Sequence, residues 1–134
     1  MRPLIRAAAR LLTGSAYVLL GADAVRAPGG RVGLAAPTLA RVRQWIPVPE
    51  DDELLVRGNA ALQVACGGLL ALNRLTPLAA LSLAGSLVPT TIAGHAFWTV
   101  EDPAARKQQL VQFVKNTAMI GGLLAIAADQ SATD

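Results

Sequence analysis

Ile92-Ala93-Gly94-His95-Ala96-Phe97-Trp98 closes one apolar stretch. A short turn carrying Glu101, Asp102, Arg106 and Lys107 follows. Phe113-Val114-Lys115-Asn116 then opens a second apolar stretch, from Met119 to Ala128. Ionisable and aromatic side chains thus border or enter segments otherwise suited to hydrocarbon. The pattern indicates a membrane protein, and it marks the border where any chemistry would sit.

Composition agrees. The 134 residues are 53% hydrophobic and only 16% charged, with a mean hydropathy of +0.44. A soluble domain of this size needs more surface charge. Aromatic residues are 4% of the chain, so the apolar content is mainly Leu, Ala and Val, which suits lipid-facing, closely packed helices. The net charge of +3 and pI near 9.8 suit contact with anionic lipid headgroups. The arginines stand at segment ends and form no basic stripe with stacking aromatics, so a nucleic-acid partner is not expected. The lone Cys66 excludes an internal disulfide and a Cys-x-x-Cys dithiol, and it reads as a small packing residue.

A spanning helix needs about 20 predominantly apolar residues. Four stretches come close: residues 6–24, 54–73, 77–96 and 110–128. In lipid the backbone must satisfy its own hydrogen bonds, so each is expected to be a helix. The fold class is therefore an all-α integral membrane four-helix bundle, in one domain covering residues 1–134. Glu50 to Glu53 place negative charge at the start of the second helix. Thr76-Pro77 and Asp102-Pro103 read as cap-and-first-position starts. Asn73 to Thr76 is a tight turn making the second and third helices a hairpin, and Pro89 should kink the third. Residues 129–134 read as a polar tail. Arg2, Arg6 and Arg10 before an apolar run also fit a cleaved signal peptide. That alternative ranks lower, because it leaves the bundle one helix short.

Between the first two spans, Pro28-Gly29-Gly30 reads as a turn. Residues 38–46, bounded by Pro37 and Pro47, read as a short interfacial helix with Leu39, Val42 and Ile46 on one face and Trp45 as an anchor. Small residues recur on the spans at Gly14, Gly21, Gly67, Gly68, Gly85, Gly121 and Gly122, which favours close helix association.

Helix polarity places many polar residues in the membrane half nearest the long loop: Asp23, Arg57, Asn59, Gln63, Thr90, Thr91, His95, Trp98, Gln112, Lys115 and Asn116. The other half is expected to be a packed apolar plug. Asp23, Arg57, Asn59, Gln63, His95, Trp98, Lys115 and Asn116 are the candidates for a polar or ligand pocket. Lys115 is read either as facing inward to Asp23 or a ligand, or as snorkelling to the interface. His95 suits a structural hydrogen bond or a donor to a quinone carbonyl. One histidine cannot make a bis-His haem site, and metal-ligand spacing is absent. No nucleophile–base motif, phosphate loop or catalytic residue is assigned. No cofactor is called for, and a quinone stays open as a ligand.

Several motifs together carry a resemblance. They are Gly21-Ala22-Asp23-Ala24 with Pro28-Gly29-Gly30; Val56-Arg57-Gly58-Asn59-Ala60; Leu87-Val88-Pro89-Thr90-Thr91 running into Gly94-His95-Ala96-Phe97-Trp98; and Phe113-Val114-Lys115-Asn116 with Gly121-Gly122-Leu123-Leu124. The chain resembles the DoxX family of small four-helix bacterial membrane proteins, in its actinobacterial form. The resemblance implies likeness to a subunit of thiosulfate:quinone oxidoreductase and an association with redox and thiol stress. It brings no agreed catalytic residue and does not establish an activity. A multi-pass protein of the bacterial plasma membrane is expected, in contact with lipid and open to redox protein partners or to homo-oligomerisation. Three functions compete: a non-catalytic membrane subunit or scaffold of a redox complex, a quinone- or lipid-binding oxidoreductase subunit, and, ranked last, a small-solute transporter. The orientation of the termini is left open, since arginines mark both sides.

Overall fold

The helical signals become five α-helices in the computed structural model, which describes residues 1–131. They are α1 (Arg2–Arg26), α2 (Gly30–Val42), α3 (Asp52–Ala71), α4 (Thr76–Gly94) and α5 (Pro103–Ser131), with a single 3-10 turn at Phe97–Thr99. No strand occurs among the described residues. Four helices are long and apolar enough to cross a membrane, and α2 is the short one. The expected polar tail is partly helical, since α5 continues to Ser131; residues 132–134 lie outside the described residues.

The predicted starts hold at two places. Asp51 caps α3, its carboxylate accepting from the Leu54 amide at 3.0 Å, with Asp52 and Glu53 in the first turn. Asp102 does the same for α5, accepting from the Ala105 amide at 2.8 Å. At α4 the expectation needs correcting. Thr76 is already helical, and the cap position is Leu75, held in the left-handed region at φ +49°. Asn73 shares that region at φ +55°, and the Thr76 hydroxyl donates to its side-chain oxygen at 3.1 Å. Two positive-φ residues reverse the chain within three positions, at a steric cost that Leu75 in particular bears.

The interfacial helix also moves. It spans Gly30–Val42, not residues 38–46, and Pro37 lies inside it rather than bounding it. Gly29, at φ +49°, starts the helix, and Pro37 forfeits one backbone bond in its second half. Residues 43–46 turn instead of continuing. The cause is Arg43, whose guanidinium donates to the Pro49 carbonyl at 2.7 and 3.0 Å and to Asp52 at 2.5 Å, fastening the segment to the start of α3. Trp45 projects outward, 86% exposed, as an anchor would.

Packing runs in the order α1, α3, α4, α5, with α2 lying across the ends of α3 and α4. The α1–α3 seam is the tightest. A Cβ on Gly14 would lie 2.4 Å from the Gly67 carbonyl oxygen, one on Gly67 2.8 Å from that of Gly14, and one on Gly21 2.9 Å from that of Ala60. These backbones touch, as the small-residue pattern predicts. By contrast Gly68, Gly85, Gly121 and Gly122 have open space where a side chain would go. The core of Tyr17, Cys66, Leu70, Ala79, Ala80, Leu83, Ala84, Leu87, Leu123 and Ala127 draws on all four long helices. Leu12, Leu19, Leu62, Leu81, Val114 and Leu124 point outward, an apolar surface that only lipid or another apolar partner would cover.

Candidate functional site

The polar half is built on the α3–α4 contact. Asn59 and Gln63 stand one turn apart on α3 and face Ser86 and Thr90 of α4. The Gln63 amide donates to Ser86 Oγ at 3.0 Å, and Ser86 Oγ donates to Asn59 Oδ1 at 2.7 Å. Asn59 Nδ2 donates to Thr90 Oγ1 at 3.0 Å, and that hydroxyl donates back to the Ser86 carbonyl at 3.0 Å. The Thr91 hydroxyl donates to the Leu87 carbonyl at 2.7 Å. These bonds flank Pro89, which has no amide hydrogen to give. The network is neutral and holds two helices together in a setting where an unpaired polar group is costly. Ser86 was not among the predicted site residues. Its central role follows from its position opposite both Asn59 and Gln63.

His95 follows the last turn of α4. With the Gln109 amide oxygen facing the ring, His95 Nδ1 donates to Oε1 at 2.8 Å. That ties the end of α4 to α5 and leaves Nε2 without a hydrogen bond among the described residues. Beside it Phe97, Trp98 and Phe113 form an edge-to-face cluster, with ring centroids 5.2, 5.4 and 6.1 Å apart. A cleft of about 260 Å³ lies between this region and α2, lined by Leu34, Pro37, Arg41, Ile92, Trp98 and Gln109 among others. Arg41 makes no ion pair among the described residues. Neither Arg41 nor Gln109 was among the predicted site residues. Arg41 is not one of the apolar-face residues Leu39, Val42 and Ile46, and Gln109 precedes the apolar stretch that starts at residue 110.

A protein-family model, DoxX, matches residues 5–96, which is α1 to just past the end of α4. The chain belongs to the DoxX family. Comparison with curated proteins and with solved structures finds no match. Family and four apolar helices together make this DoxX protein a multi-pass membrane protein in contact with lipid.

The remaining predicted residues of this DoxX protein do not converge. Asp23 is exposed and pairs with Arg31 at 2.8 Å, and Arg31 also donates to the Ala27 carbonyl, so both close the α1–α2 turn. Arg57 pairs with Glu53 at 2.8 Å and donates to the Val25 carbonyl at 2.8 Å, capping the end of α1. Lys115 is exposed, with no hydrogen bond or ion pair among the described residues, so the expected pairing with Asp23 is not formed. Asn116 is half-buried and makes no side-chain hydrogen bond among the described residues. The expected single pocket is therefore four separate places: the α3–α4 seam, the His95–Trp98 region, the loop clamps and the outer face of α5. Helix polarity predicts a depth for each residue. It said nothing about direction around each helix, and packing decides that.

Proposed function

We propose that this DoxX protein is a non-catalytic membrane subunit of a redox or thiol-stress complex, and that the outer face of α5 receives a helix of its partner. The supporting observation is one line of exposed residues: Gln108, Gln112, Lys115, Ala118, Gly122 and Ala125. Their spacing of four, three, three, four and three puts them on one side of the helix. Lys115 lies about 12 Å beyond Lys107 along the axis. A lysine at mid-membrane costs about 2.5–3.5 kcal/mol on insertion scales unless it is paired. A partner helix carrying a carboxylate at this depth would pair it, and the open positions at Gly121 and Gly122 permit close approach. The redox context comes from the family resemblance.

The test is photo-crosslinking in native membranes from a probe at Ala118, with a probe at Leu19 on α1 as control. A discrete protein adduct from Ala118 alone, weakened by Lys115→Ala, is the expected result. Adducts to lipid only would overturn the reading, and so would an adduct to a second copy of the chain alone.

A second reading, a quinone- or lipid-binding oxidoreductase subunit, is favoured by the cleft beneath α2. Its unpaired Arg41 is a donor suited to a carbonyl, set near the Trp98 indole. Quinone extracted with the purified wild type but lost on Arg41→Ala would favour this reading over the first.

A further inference from the structure

We propose that the cleft between the start of α1 and the end of α5 binds the phosphate group of an anionic phospholipid. The first and last membrane helices meet at a cleft of about 170 Å³ lined by Ile5, Arg6, Ala9, Arg10, Ile126 and Asp129. Arg6 engages both carboxylate oxygens of Asp129, at 2.6 and 2.9 Å, in a fork that satisfies the pair. Arg10 stands one turn further along α1 on the same face. Its Nε is shut off from solvent and has no acceptor among the described residues. A guanidinium keeps its charge and its five donors at every working pH. Arg10 makes no ion pair among the described residues, so the cleft it lines carries a cation without a counter-charge there, and an oxyanion is the group that would neutralise it.

Shape and depth identify what carries the oxyanion. The walls beside the arginines are Ile5, Ala9, Ala125 and Ile126, so the site sets charged groups against apolar surface. That suits an amphiphile with an acyl chain beside its phosphate better than a free anion. Arg10 lies about 6 Å deeper than Arg6 along α1, as one helical turn dictates. This puts it just inside the border marked by the Arg6–Asp129 pair. Arg2 and Arg74 stand on the same side of the membrane, and Asp129 is the sole acidic residue there among the described residues. The local field thus favours anionic lipid.

The experiment is native mass spectrometry of the detergent-purified full chain with phosphatidylglycerol, phosphatidylcholine or inorganic phosphate as probe. Phosphatidylglycerol should bind at least about tenfold more tightly than phosphatidylcholine, and millimolar inorganic phosphate should not displace it. Arg10→Gln should weaken phosphatidylglycerol about tenfold, the loss expected for one charge-assisted contact. Arg74→Gln, on the same side but outside the cleft, should bind like wild type. Ile126→Trp fills the cleft without altering charge and should also weaken binding, which keeps the test decisive if Arg10→Gln does not fold. Wild-type binding by Arg10→Gln or by Ile126→Trp overturns the proposal. Displacement by inorganic phosphate overturns the lipid assignment in favour of a free-anion site.

Discussion

The α1–α3 seam and the outer face of α5 are made of the same small residues and end in opposite states. At the seam, Gly14, Gly21 and Gly67 bring two backbones into contact. On α5, Gly121 and Gly122 face open space. A glycine stripe in a membrane helix therefore signals an opportunity for close approach, and the tertiary structure decides whether the chain uses it itself. The seam is internally complete. The α5 face has a lysine and two glutamines beside its glycines, and they are exposed among the described residues.

The contrast breaks most visibly at Gly14. Gly14→Leu should destabilise the purified protein by about 2–3 kcal/mol or more, as overpacking against a fixed backbone does. Gly122→Leu should stay within about 0.5 kcal/mol, like an unburied site. Unfolding midpoints in mixed detergent measure both, and equal effects would erase the distinction between the two faces.

The polar seam comes next. Asn59→Leu should cost about 1–2 kcal/mol, because it strands the Ser86 and Thr90 hydroxyls. Gln63→Leu and Ser86→Ala together should cost less than the sum of the two alone, since each removes the other's partner. Strict additivity in that cycle would mean the Gln63–Ser86 bond contributes nothing.

A smaller effect is expected at Lys115. Lys115→Met should leave the stability of the isolated chain within about 0.5 kcal/mol. Combined with Asp23→Leu, the two changes should simply add, because Asp23 is paired with Arg31. Coupling above about 0.5 kcal/mol between them would place Lys115 inside the bundle after all. Smallest is Cys66, buried in the core beside Tyr17 and Leu70. Cys66→Ser should leave oxidant resistance in complementation unchanged, and maleimide should label the thiol only after unfolding. Rapid labelling of the folded protein would show a reactive, accessible thiol.

Much of this was legible in the chain. Four long apolar stretches with acidic or proline starts are strong local signals, and the helices that cross follow them within a few residues. The stretch before α3 was harder to read, because two prolines suggested boundaries where the decisive interaction is Arg43 reaching Pro49 and Asp52. Long-range side-chain anchors of that kind leave no periodicity to read. The candidate site divides the same way. Asn59 and Gln63 were placed on one face because a spacing of four fixes it, and Ser86 meets that face. Asp23 and Lys115 share a depth, but their directions depend on how α1 and α5 pack, which no single helix records.

The packing order has a consequence for how the chain assembles. The seam that holds α1 is made with α3, the membrane helix synthesised after it, and α5 meets α1 at the Arg6–Asp129 end. During synthesis α1 therefore waits in the bilayer with Gly14 and Gly21 facing lipid until Gly67 arrives. Its main attachment is to α3, and α5, which comes later still, adds the Arg6–Asp129 latch.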